Sequence, residues 1–179
     1  DLKKFTILIM GGSQGAKSVN NHFQLNYKKY LNKNIQIIWQ TGSNSAEITK
    51  KVKDPNIKMF DFIDNIEHAY SAADLIISRA GATAISEILY LGKPSILIPY
   101  PFAADNHQEL NAKVLDNIEA AVMVKESEFE KNVLENKIFE IIDSNHRMNL
   151  LKKNALEFSN RDSSFLIKEK IKEMILDAR

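Results

Sequence analysis

Short apolar runs alternate with amphipathic stretches along this chain, and no other feature narrows its possible folds so far. The runs cover residues 5–10, 35–40, 57–62, 75–78, 95–98 and 121–124. Each is β-branched or aromatic in character and apolar at successive positions, the pattern of strands buried on both faces. Helical patterns fill the gaps over residues 16–31, 45–52, 66–73, 83–91 and 106–117. Gly92 and Pro94 punctuate the fourth of these as a cap and a breaker. Ser127 with Glu130 has the spacing of a capping box that opens a helix to about residue 143, and two further helical stretches follow over about 147–158 and 163–176. Such alternation predicts an α/β domain with a parallel sheet and helices on both faces. Six strands predict the doubly wound, Rossmann-like order 3-2-1-4-5-6, with ligands bound beyond the carboxyl ends of strands one and four, where strand order reverses.

Length allows one large domain or two small ones, and the chain is read as one domain over residues 1–179. At 179 residues and 44% hydrophobic content, folding is expected to bury about 70% of the unfolded surface. The net charge of +1 argues against disorder and against a dedicated nucleic-acid binder. No apolar run reaches the roughly 18 residues of a membrane span, and residues 5–10 are too short a run, without a small-residue cleavage site, for a signal peptide. The chain has no cysteine, which removes disulfides and thiolate chemistry and fits a cytosolic protein. It opens at Asp1 rather than Met, as a piece of a longer protein would.

Three loops at the expected carboxyl edge carry polar or glycine-rich sequence. The first, GGSQG, runs from Gly11 through Gly12, Ser13 and Gln14 to Gly15 and leads into a helix. Glycines there let backbone N–H groups approach an anion, and the helix N-terminus favours negative charge. Three glycines in five residues exceed what a tight turn needs, so phosphate or sugar contact is the favoured reading. The loop departs from G-x-G-x-x-G at Ser13. It also departs from a P-loop at Ala16, and no strand ends in the Asp that would hold Mg²⁺, so nucleotide hydrolysis is rejected. The second loop, SRAGAT, contains Arg79, Gly81, Ala82, Thr83 and Ala84, with Glu87 on the helix that follows. Its amides suit a diphosphate, and a carboxylate beside an anion site suits ribose hydroxyls. Arg79 reads equally as a phosphate partner or a surface ion pair. The third loop brings Asn106, His107, Gln108 and Asn111 to a helix start, groups suited to a polyhydroxylated ligand. Asp105 with Gln108 also fits a plain capping box there. The turns at 41–43 and 61–64 read as lining, and Trp39 as packing.

Other chemistries fit poorly. The four histidines lack H-x-x-x-H spacing, and no G-x-S-x-G elbow is present. A dinucleotide oxidoreductase would need an acid ending the second strand, where Gln40 stands. No metal and no cofactor is expected.

Taken in order, GGSQGAKSVN, the QTG turn, FIDNIEHAYSAADLIISRAGATAISE, GKPSILIPYP and DNHQELNA span residues 5–121. In this combination the chain resembles the donor-nucleotide half of the MurG family, UDP-N-acetylglucosamine transferases acting on the undecaprenyl-linked muramyl-pentapeptide of peptidoglycan synthesis. The resemblance implies the C-terminal half of a two-domain GT-B glycosyltransferase, cytoplasmic and peripheral to the inner face of the cell membrane. It further implies that backbone near Ile63 reads uracil, that Glu87 holds the ribose, and that Ser13 with the Ala82–Ala84 amides meets the diphosphate. His107 and Gln108 fall where the family contacts the sugar. The family often has Thr at the place of Ala84, and some members have two glutamines where His107 and Gln108 stand. The implied partners are UDP-N-acetylglucosamine, an N-terminal acceptor-binding domain, and through it the lipid-linked acceptor. That domain, with the expected base, is not in the sequence, so this chain is expected to bind donor without transferring it. The alternative is a freestanding nucleotide-sugar-binding subunit that works with a separate acceptor subunit. Ile167, Ile171, Met174 and Ile175 make an apolar stripe on the last helical stretch, which must be buried somewhere. The resemblance implies a closing helix over 163–179 that crosses toward the N-terminal domain. Without that domain it is expected to fold onto its own domain, fray or self-associate.

Overall fold

The computed structural model describes residues 4–12, 15–42 and 46–159. Ser13, Gln14 and the closing stretch 163–179 lie outside these residues. Thirteen strands and α-helices alternate through the described part: β1 (Phe5–Met10), α1 (Lys17–Leu31), β2 (Ile35–Gln40), α2 (Ala46–Lys51), β3 (Ile57–Phe60), α3 (Ile66–Ala72), β4 (Leu75–Ser78), α4 (Ala82–Tyr90), β5 (Ser95–Leu97), α5 (His107–Asn117), β6 (Val122–Met123), α6 (Val133–Ile142) and α7 (Asn145–Ser159). All strand pairs are parallel, and the sheet order is β3-β2-β1-β4-β5-β6. The doubly wound order expected from the sequence is therefore the one observed.

Strand pleat explains the continuous apolar runs. Ile7 and Ile9 of β1 point to one face, where they join Phe23 of α1 and Leu134, Ile138 and Ile141 of α6. Leu8 and Met10 point to the other, against Ala69 and Tyr70 of α3, Ile88 and Leu89 of α4, and Leu115 of α5. Successive residues thus enter two separate cores. Each fully buried Ile or Leu contributes about 1.5–3 kcal/mol, so β1 alone anchors both layers.

Buried polar groups tie the elements together. The Trp39 indole N–H donates to Asn20 Oδ1 (3.0 Å), and Asn20 Nδ2 donates to the Thr41 carbonyl (2.7 Å). Trp39 is packed, as expected, and also joins α1 to the end of β2. Between α1 and α6, His22 Nε2 lies 3.1 Å from the Tyr30 hydroxyl and 3.7 Å from Glu135 Oε1, while Lys29 reaches the same carboxylate at 3.4 Å. Burial outweighs the Glu135 charge and lowers the His22 pKa.

Helix ends supply two corrections. No box forms between Ser127 and Glu130; instead the Glu128 carboxylate accepts from the Lys125 N–H (2.8 Å), opening a 3-10 stretch, Glu126–Lys131, ahead of α6. Nor do Asp105 and Gln108 make a box. Asp105 and Asn106 have φ of 49° and 53°, and this left-handed pair turns the chain so that Gln108 Oε1 accepts from the Tyr100 N–H instead (3.0 Å).

The cap at Gly92 is observed. Gly92 N–H donates to Leu89 O and Lys93 N–H to Ile88 O, with φ of 58° at the glycine, which makes a Schellman motif. The left-handed penalty for a residue with a Cβ is about 1–2 kcal/mol. A Cβ here would also lie 2.5 Å from Leu156 Cγ of α7, overpacking that adds about 1–2 kcal/mol. Gly92→Ala is therefore expected to cost about 2–4 kcal/mol. A lower urea midpoint at constant m would register it; an unchanged midpoint would contradict it.

Candidate functional site

A cavity of about 1160 Å³ opens at the carboxyl ends of β1 and β4, where strand order reverses. Its rim is formed by the starts of two helices. α1 follows Ala16 and α4 follows Gly81; neither has a side-chain cap, and neither has an acidic residue in its first turn. Their leading N–H groups and positive dipole ends are thus left for an anionic ligand.

The glycine-rich loop before α1 is built by contact with its neighbours. Gly12 and Gly15 have φ of 81° and 74°, and Gly15 N–H closes the turn onto Gly12 O (3.0 Å). A Cβ on Gly15 would lie 2.3 Å from the Thr41 carbonyl oxygen, so the loop rests directly on the turn after β2. Thr41 was expected to line a site and instead supports one, while Gln40 beside it does line the cavity. At Gly81 the situation differs. Its φ is −73° and an added Cβ would meet nothing within 4 Å, so its lack of a side chain leaves room on the cavity side rather than relieving the fold.

Most sequence-predicted residues come together here. Gly12, Gly15, Ile63, Arg79, Gly81, Ala82, Thr83, Ala84, Glu87 and Gln108 all line the cavity. His107 is not among its lining residues; its ring N–H at Nδ1 donates to Ala104 O (2.7 Å) on the exposed surface. Glu87 sits in the second turn of α4, exposed to the cavity, and accepts from the Tyr70 hydroxyl (2.7 Å). Burial, followed by that hydrogen bond and the Glu87 charge, pushes the Tyr70 pKa up. The phenol therefore stays a donor and orients one carboxylate oxygen, leaving the other toward the cavity.

Four contributors escaped sequence reasoning. Gln40 spans two loops, with Nε2 donating to Gly12 O (3.3 Å) and Oε1 accepting from the Ile63 N–H (3.2 Å). Tyr70 orients Glu87. Ser18 and Glu126 surround Arg79, whose guanidinium also donates to Ile98 O and Pro99 O. The only sequence signal available for Glu126 is its place just after the last strand, at the carboxyl edge of the sheet. A second, mostly apolar recess of about 350 Å³ lies behind Phe62 and Ile63. Among the described residues no cluster of three or more His, Asp or Glu could hold a metal ion, and no helix is long and apolar enough to cross a membrane.

Comparison with known proteins shows the family and supports the fold. Residues 6–172 match the model for the glycosyltransferase family 28 C-terminal domain. The UDP-N-acetylglucosamine--N-acetylmuramyl-(pentapeptide) pyrophosphoryl-undecaprenol N-acetylglucosamine transferase of Parabacteroides distasonis is 38% identical over 177 residues, 97% of this chain and 48% of that protein. The enzyme of the same name from Cytophaga hutchinsonii is 39% identical over 170 residues, 95% of this chain and 46% of that protein. The chain therefore spans about half the length of these relatives. The crystal structure of Acinetobacter baumannii MurG superimposes with a TM-score of 0.81 at 30% identity, covering 96% of this chain and 52% of that one.

Proposed function

Because the chain belongs to the glycosyltransferase family 28 C-terminal domains, we propose that it is the donor-binding half of a GT-B transferase. Its donor in this reading is UDP-N-acetylglucosamine, and the sugar goes to a lipid-linked muramyl-pentapeptide at the inner face of the cell membrane. The observation that carries the reading is the pair of uncapped helix N-termini flanking Glu87 in one cavity. The diphosphate lies across those N-termini, where Ser13 adds a hydroxyl. Glu87 accepts from the ribose hydroxyls, backbone near Ile63 reads the uracil, and Gln108 faces the sugar.

The chemistry then follows from charge. As the bond from the sugar's anomeric carbon to the diphosphate oxygen breaks, negative charge grows on the leaving phosphate. N–H groups already fixed in place stabilise that charge without reorganising. The acceptor hydroxyl forms the new bond, and a base outside this chain takes its proton. Donor binding and transfer therefore separate: this chain binds, and the acceptor-binding half completes the reaction.

Calorimetric titration of the 179-residue chain with UDP-N-acetylglucosamine, UDP, ADP and NAD tests the reading. Uridine nucleotides are expected to bind at least about tenfold tighter than ADP, the discrimination of one well-placed hydrogen-bonded group. Labelled sugar transfer to the lipid acceptor is expected to be undetectable until an acceptor-binding half is supplied. Equal affinity for ADP and UDP would remove the uracil assignment, and robust turnover by this chain alone would remove the division of labour.

A further inference from the structure

A site for a diphosphate would ordinarily be basic, yet among the described residues the charged groups lining this cavity are Lys17, Arg79, Asp64, Glu87 and Glu126, two cations against three carboxylates. The deeper cation is Arg79, with a side chain 12% exposed. Its charge is already matched. Nη2 lies 2.5 Å from Glu126 Oε1 and donates to Ser18 Oγ at 3.2 Å, while Nη1 donates to the Ile98 and Pro99 carbonyls at 3.2 and 3.3 Å. Ser18 in turn donates to Glu126 Oε1 at 2.6 Å, and the Tyr100 ring lies 5.4 Å from the guanidinium carbon. The guanidinium is thereby held on β5's outgoing loop by an acid that arrives from the far edge of the sheet.

We propose that Glu126 is a positioning residue that fixes Arg79 in this network and cancels its charge toward the diphosphate. Phosphate affinity is then set by the two helix N-termini. Keeping it moderate has a functional consequence, since a nucleoside diphosphate product held by an uncancelled buried cation would leave slowly. The inference rests on the donor-binding reading and adds to it a determinant of phosphate affinity.

The test titrates UDP and uridine, in low and high salt, against the whole chain and three variants. Glu126→Gln keeps the shape and the hydrogen-bonding capacity while removing the charge. It is expected to bind UDP about fivefold to tenfold tighter, an advantage that shrinks as salt screens it, with uridine affinity unchanged. Glu126→Asp restores the charge and is expected to return UDP toward the wild-type value. Adding Arg79→Gln to Glu126→Gln removes the uncancelled cation and is expected to lose at least threefold of the gain. If Glu126→Gln does not fold, Glu126→Ala removes the same charge and is read in the same way. UDP binding that is unchanged or weaker without the Glu126 charge overturns the proposal, as does a parallel loss of UDP and uridine. Failure of the donor-binding reading looks different, because the unaltered chain would then bind neither ligand.

Discussion

Gly15→Ala is expected to destabilise the chain by about 3–5 kcal/mol, the upper range for a single substitution acting through the backbone. Two effects combine. The residue sits at φ 74°, where a Cβ costs about 1–2 kcal/mol. The new atom would also lie 2.3 Å from a backbone oxygen, that of Thr41, which is held in turn by Asn20. No side chain can move aside, so the loop or the turn must. Either shift displaces the helix-start amides, and UDP affinity is expected to fall at least tenfold with stability. Gly12→Ala is the control. Its φ of 81° carries the same strain, but its Cβ enters open space, so about 1–2 kcal/mol is expected. Urea melts of the two variants that gave equal losses would show that the contact with Thr41 is not tight.

Glu87→Ala has the opposite profile, with a large effect on binding and a small one on folding. Loss of hydrogen bonds from ribose hydroxyls to a charged acceptor is expected to cost about 1.5–3 kcal/mol of UDP affinity, or roughly 10- to 150-fold. The folding cost is expected to stay near 1 kcal/mol, the net worth of the single bond from Tyr70. Tyr70→Phe removes that bond and keeps the carboxylate, so it separates orientation from contact and is expected to weaken UDP less. A large fall in melting temperature with unchanged UDP affinity would make Glu87 a structural residue.

Much of the fold could be read before any coordinates. The strand order was readable because the apolar runs are short, doubly buried and separated by helix-length patterns, which leaves few topologies. The backbone parts of the site were readable for a related reason: glycines beside helix starts are local features. Side chains that act through neighbours were not. Gln40 read only as a missing acid, yet it spans Gly12 and Ile63. Glu126 meets Arg79 only after β6 has crossed to the sheet edge, and no spacing rule encodes that meeting. The two misplaced capping boxes have a local cause. Spacing can name residues able to cap, but the left-handed pair Asp105–Asn106 and the competing Lys125 N–H decide which groups meet.

The bond between Trp39 and Asn20 gives this molecule an optical property. Trp39 is the chain's one tryptophan and has 0% of its surface exposed. Its indole is linked through Asn20 to the Thr41 carbonyl, the atom on which Gly15 rests. Tryptophan fluorescence therefore originates two hydrogen bonds from the carbonyl that supports the glycine-rich loop, in a buried setting that opening of the α1–β2 contact would expose to water. Red-shifted emission is expected on that opening, and a change in intensity without a shift is expected if a ligand presses on the loop, which fluorescence titration of the unlabelled chain would read.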